Sequence, residues 1–187
     1  KATDTYRKWS ELDPQNPEPN FILGQIHIRN GRFNLGWKLY EYGLKNNIRK
    51  PLSGFYQEKK EIWNGKPFNG SLLVYGEQGL GDQINFGTLL FELLEIQKDV
   101  CVKVDKKLVD LFTCSFPKIK VFSEEEKIPQ NVYDKYIALG SLNKFFRNHT
   151  NNYLNSKFYP LKVNGRRYLE INNLFSKLNG FNIGISW

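Results

Sequence analysis

Methionine is absent from the 187 residues, and histidine and cysteine occur only twice each. Cys101 and Cys114 do not have the CxxC spacing of a zinc or redox pair, so they read as reduced, buried thiols rather than a disulfide framework, and a cytoplasmic location is expected. His27 and His149 stand alone, without the neighbouring donors a metal centre requires; they read as packing or surface residues, and no metal site is expected. No apolar run approaches the roughly 18 residues needed to cross a bilayer. No basic start is followed by an apolar stretch of the signal-peptide kind. The chain opens inside a helical pattern and stops at Trp187, directly after a strand-like run. With no methionine even at position 1, it reads as a piece of a longer protein.

Charge also excludes more than it assigns. Lys and Arg number 27 against 19 Asp and Glu, a net +8, but the basic residues are scattered and interrupted by acids. Nucleic-acid binders concentrate theirs in a stripe or a known motif. Neither is present, so no nucleic-acid partner is expected, and the charge is put down to solubility or attraction to anionic substrates and surfaces. A hydrophobic content of 40% with 15% aromatics supports a real core and argues against global disorder.

What is there begins with a repeat. Two helical patterns over residues 17–48 flank Asn30-Gly31-Arg32, with Leu23, Gly24 and His27 on the first and Phe33, Gly36, Tyr40, Gly43 and Leu44 on the second. Small residues alternating with large ones let two helices pack closely. Ala2 matches Gly36, and Tyr6 matches Tyr40, 34 positions apart in each case, which is the tetratricopeptide period. Leu12-Asp13-Pro14 supplies a stop between repeats. An ordinary helical hairpin is the plainer alternative. Residues 1–50 are therefore assigned to repeat helices and 51–70 to a connector broken by Pro51, Gly54, Gly65, Pro67 and Gly70, with Trp63 and Phe68 as its anchors.

From Ser71 the pattern is βαβα. Strands are expected at Leu72–Tyr75, Val100–Val104, Lys118–Phe122, Tyr136–Leu139 and Phe181–Trp187. Helices are expected at Asp82–Ile96, Lys107–Phe116 and Gly165–Leu178. Strands alternating with helices imply an α/β fold: a parallel sheet forming a Rossmann-like half over residues 71–180, with 181–187 opening a further unit.

The first turn, Gly76-Glu77-Gln78-Gly79-Leu80-Gly81-Asp82, carries the chemistry. A phosphate-binding Walker loop needs Lys then Ser or Thr after its last glycine; Asp82 and Gln83 stand there. A dinucleotide fingerprint finds its first two glycines and an acid, Asp105, at a suitable distance. Ile84 occupies the third glycine position, however, and Asp82 would face the pyrophosphate. On a third reading the glycines permit a tight turn, and Asp82 lies at or near a helix N-cap where free N–H groups favour its charged form. A carboxylate at a cleft rim can take a proton from an acceptor hydroxyl. The plainer alternative is that Asp82 is only a cap and Glu77 only a turn-stabilising acid.

Gly36-Trp37-Lys38-Leu39-Tyr40-Glu41, then Trp63-Asn64-Gly65, then Glu77-Gln78-Gly79-Leu80-Gly81-Asp82, in that order, resemble the bacterial tetratricopeptide-repeat glycosyltransferase-like proteins. Their catalytic part is similar to the GT-B fold of heptosyltransferases and, more distantly, of O-linked N-acetylglucosamine transferases. Gly184-Ile185-Ser186-Trp187 resembles the strand opening their second half. The resemblance implies an inverting transferase with a nucleotide-sugar co-substrate, a protein or glycan acceptor and no other cofactor. It implies Asp82 as general base, with Glu77, Gln78, Gly79, Leu80 and Gly81 contacting acceptor or donor phosphate. The repeat helices would offer a peptide partner a surface, although one and a half copies make little groove; this interaction module on a non-catalytic α/β scaffold is the alternative function. Family members often carry an arginine two positions after the Tyr-Glu pair, where this chain has Gly43. The donor-binding half would lie beyond Trp187, so the fragment alone is expected to be inactive.

Overall fold

A computed structural model describes residues 1–51, 60–156, 160–178, 180 and 183. Three helices open the chain: α1 (Ala2–Leu12), α2 (Glu18–Arg29) and α3 (Phe33–Tyr40). Pro17 and Pro19 bracket the start of α2, where proline loses no helical hydrogen bond. Gly31 makes the α2–α3 turn at φ +72, a left-handed conformation that glycine adopts without penalty. The two helices then pack backbone to backbone: a side chain at Gly24 would meet the Tyr40 nitrogen at 2.7 Å and the Gly36 carbonyl at 2.9 Å. His27 is buried on α2 with Nδ1 unpartnered.

After α3 the chain tightens into a 3-10 stretch, Glu41–Asn47, that breaks where Asn46 and Asn47 both turn left-handed at φ 54. The strands are β1 (Glu61–Ile62), β2 (Leu72–Tyr75), β3 (Val100–Val104), β4 (Lys120–Ser123) and β5 (Lys135–Ala138). They form one parallel sheet in the order β1-β5-β2-β3-β4. β2 and β3 are buried on both faces, which is why each reads as a nearly continuous apolar run. Lys103 is the exception within β3; its ammonium reaches the Glu126 carbonyl at 2.8 Å.

The remaining helices are α4 (Leu80–Gly87), α5 (Leu90–Ile96), α6 (Val109–Ser115), α7 (Asn143–Phe146), α8 (Thr150–Leu154) and α9 (Gly165–Phe175). The single helix expected at 82–96 is thus two. At the break the Thr88 hydroxyl bonds back to the Asn85 carbonyl at 2.7 Å, and Leu89 N–H reaches only three residues back, to Phe86. The edge strand β1 has no counterpart among the expected strands: its two exposed residues carry no alternation, and only pairing with Lys135 and Tyr136 defines them. The strand expected at 181–187 lies outside the described residues except for Ile183.

One apolar cluster joins Phe21, Trp37 and Tyr40 of the helical hairpin to Phe86 and Leu90 above the sheet and to Leu72, Val74 and Val102 within it. The Trp37 and Phe86 rings meet edge-on at 6.3 Å. Trp63 anchors the connector as expected: it is buried against Phe145, with its indole N–H on the Lys66 carbonyl. Phe68 is partly buried against the same core. The opposite sheet face carries Leu73, Tyr75, Cys101, Phe122 and Tyr136. There burial pushes the Cys101 thiol up to about 11, so it stays protonated and unreactive.

Candidate functional site

From β2 the chain runs outward to β3 and β4, then returns to lay β5 on the other side of β2. The strand order therefore reverses between β2 and β5. Open α/β sheets bind ligands in the crevice at the carboxyl ends of such a pair, because the connections there leave in opposite directions. Here the crevice lies between Gly76–Asp82, leaving β2, and Leu139–Leu142, leaving β5.

A guanidinium outside the expected site residues fills it. Arg49 has no exposed side-chain surface. Its Nε donates to Glu77 Oε2 at 2.7 Å and its Nη2 to Glu77 Oε1 at 2.5 Å, a two-pronged pairing. Nη2 also reaches Ser141 Oγ at 3.3 Å; Nη1 reaches Glu41 Oε1 at 3.1 Å and the Tyr40 carbonyl at 3.4 Å. The Tyr40 ring lies 4.4 Å from the guanidinium carbon. Gly140 N–H donates to Glu77 Oε1 at 3.0 Å, while Ser141 Oγ and Lys144 Nζ donate to Glu41 at 2.6 and 2.9 Å.

The cluster balances two cations against two carboxylates. Burial pushes the Glu77 carboxyl up from its ordinary value, opposed by the Arg49 guanidinium, its hydrogen bonds and the Gly140 N–H. For Glu41 the balance falls the other way. Burial would raise it, but Arg49, the Ser141 hydroxyl and Lys144 together hold it below the usual value. A side chain at Gly43 would lie 2.6 Å from the Phe21 ring and 2.8 Å from Arg49 Cδ, so the aliphatic stem of Arg49 passes over a glycine.

Glu77 therefore faces inward, with both carboxylate oxygens engaged inside the protein. Gln78 is half-buried; its amide donates to Tyr40 Oη at 2.6 Å and its backbone N–H to the Lys50 carbonyl at 2.9 Å. The tight backbone of this turn belongs to Gln78, at φ +59, and not to either glycine. That left-handed conformation costs a non-glycine residue about 1–2 kcal/mol. Gly79 is extended and caps α4. Gly81 has open space where a side chain would stand. Both glycines are exposed and leave the start of α4 bare, while Leu80 packs partly into the core.

Asp82 is the third residue of α4, past the N-cap position, and its Oδ2 accepts the Gly79 N–H at 3.2 Å. Oδ1 accepts no hydrogen bond among the described residues, and the side chain is partly exposed. Asp105 caps the turn before α6 through the Lys107 N–H, and its own N–H is held by Gln83 Oε1 at 3.0 Å. The crevice thus gathers Glu77 and Gln78 with Arg49, Tyr40 and Glu41, and places Gly79, Gly81 and Asp82 on its outer rim. Arg49 was not legible in the amino-acid order, because an arginine beyond a loop carries no periodic signal.

No protein-family model matches the chain, and no solved structure matches it. Protein FlbA of Caulobacter vibrioides is 30% identical over 116 residues, which is 58% of this chain and 19% of FlbA. The chain spans about a fifth of the length of that relative.

Proposed function

We propose that this chain supplies the acceptor side of a glycosyltransferase, with Asp82 as general base. The observation that carries the reading is the position of Asp82: on the rim of the β2–β5 switch point, one carboxylate oxygen held by Gly79 N–H and the other accepting no hydrogen bond among the described residues. A base needs this arrangement, an anchored group with a lone pair directed away from its anchor. Asp82 would take the proton of an acceptor hydroxyl as that oxygen attacks the anomeric carbon of the donor. The bond from that carbon to the nucleoside diphosphate breaks, and the nucleotide leaves with the electron pair. A GT-B arrangement, with the donor held mainly by a second half, belongs to the same proposal.

Arg49 supports a second reading, that of a protein-interaction module on a non-catalytic scaffold, because it already occupies the crevice itself. The test is release of nucleoside diphosphate from a panel of nucleotide sugars by the full-length protein, with the acceptor product followed by mass. Asp82→Asn keeps an oxygen for Gly79 N–H and is expected to cut transfer by about a hundredfold or more. Stability should stay within about 1 kcal/mol of the native chain. Unchanged turnover removes the base role, and no transfer by the native protein with any donor favours the second reading.

A further inference from the structure

We infer that Arg49 is a positioning residue that clamps the Gln78–Asp82 turn to the helical hairpin, so that the geometry at Asp82 depends on the packing of α3. The groups that Arg49 holds come from three different elements. Tyr40 and Glu41 close α3, Glu77 leaves β2, and Ser141 leaves β5. The segment that carries Arg49 also runs against the turn, with Pro51 bridged to Glu77 and the Lys50 carbonyl on Gln78 N–H.

The strained residue lies inside this clamp. A left-handed Gln persists only where its surroundings over-determine it. Gln78 is held at its backbone by Lys50, at its side chain by Tyr40 Oη, and through the preceding residue by the Arg49–Glu77 pair. Directly after it come Gly79, whose N–H Asp82 accepts, and the first turn of α4. Space has been left for the guanidinium: a side chain at Gly140 would overlap the Glu77 carboxylate and lie 2.9 Å from Arg49 Nη2. Buried ion pairs are a poor source of net stability against apolar replacements, and their best-attested use is to fix one register among several. Arg49 does this for the turn.

The part of this inference that concerns transfer rests on the proposed glycosyltransferase reading; the part that concerns the turn does not. The experiment is amide hydrogen exchange by mass spectrometry on the full-length protein, comparing native, Arg49→Lys and Glu41→Gln chains. Arg49→Lys keeps the charge but loses the fork, and Glu41→Gln removes the charged partner that Arg49, Ser141 and Lys144 share at the end of α3. Both are expected to speed exchange over residues 76–83 by about tenfold or more while β3 stays within about twofold of native, as local opening requires. Exchange at 76–83 that stays at the native rate, or that rises in step with β3, overturns the inference. Where the native protein transfers sugar, Arg49→Lys should lower kcat with the donor KM held within about threefold, the signature of a misplaced base. Native kcat in a chain whose turn has loosened would separate the turn from catalysis and overturn the positioning role. Failure of the native protein to transfer any sugar would remove the glycosyltransferase reading, and the exchange rates alone would then decide whether Arg49 clamps the turn.

Discussion

Gly24→Ala tests whether the helical hairpin is held by direct backbone contact. The added methyl would stand 2.7 Å from the Tyr40 nitrogen, 2.9 Å from the Gly36 oxygen and 3.0 Å from the Leu39 carbonyl carbon. All three are main-chain atoms of the facing segment, so no rotamer change relieves the overlap. The helices must separate by several tenths of an ångström, against a core packed as densely as an organic crystal. Overpacking of this kind costs up to about 3 kcal/mol, and alanine returns about 1 kcal/mol in helix propensity. The expected net loss is about 2 kcal/mol, or roughly 4–8 °C in Tm for a chain of this size. Urea unfolding followed through the buried Trp37 on α3 reads it directly. Gly81→Ala is the internal control. It is the same substitution in a helix with nothing within 4 Å of the new methyl, and it should stabilise by about 0.5–1 kcal/mol. A Gly24→Ala chain as stable as the native protein would refute the close-packing argument.

The remaining expectations concern the buried cluster. Glu41 titrates below its ordinary value in the fold, so its contribution is complete above the unfolded carboxyl range and is lost as pH falls through the folded value. The stability difference between the native and Glu41→Gln chains should therefore shrink as urea midpoints are measured from pH 6 down to about pH 3; a constant difference would mean that Glu41 is not held by its cations. Gly140→Ala should displace the Glu77 carboxylate from its seat, leaving a buried charge poorly paired at a cost of about 3 kcal/mol or more. A native-like urea midpoint for that variant would show that the pair tolerates rearrangement.

Much of the secondary structure is legible in the sequence because local chemistry encodes it. Leu72–Tyr75 and Val100–Val104 are apolar runs of strand length, and Gly31 between two periodic segments marks a turn whatever the rest of the chain does. β1 is invisible there because two exposed residues have no pattern. The break between α4 and α5 is hidden because the apolar spacing continues across it, while Thr88 rewires its own hydrogen bonds. At the turn, the amino-acid order points to the glycines as the source of the tight backbone, yet the left-handed residue is Gln78.

The amino-acid order alone determined an α/β chain with a close-packed helical hairpin ahead of a glycine-punctuated first turn, since periodicity and turn residues are properties of short segments. Only tertiary structure decided which way each carboxylate of that turn faces. Glu77 turns inward to an arginine 28 positions away, while Asp82 stays partly exposed, with one oxygen on the Gly79 N–H and no hydrogen bond to the other among the described residues. A charge separated by that much chain finds its partner only once β2, β5 and α3 are brought together. The role of each acid is therefore set by packing, a property that no local pattern carries.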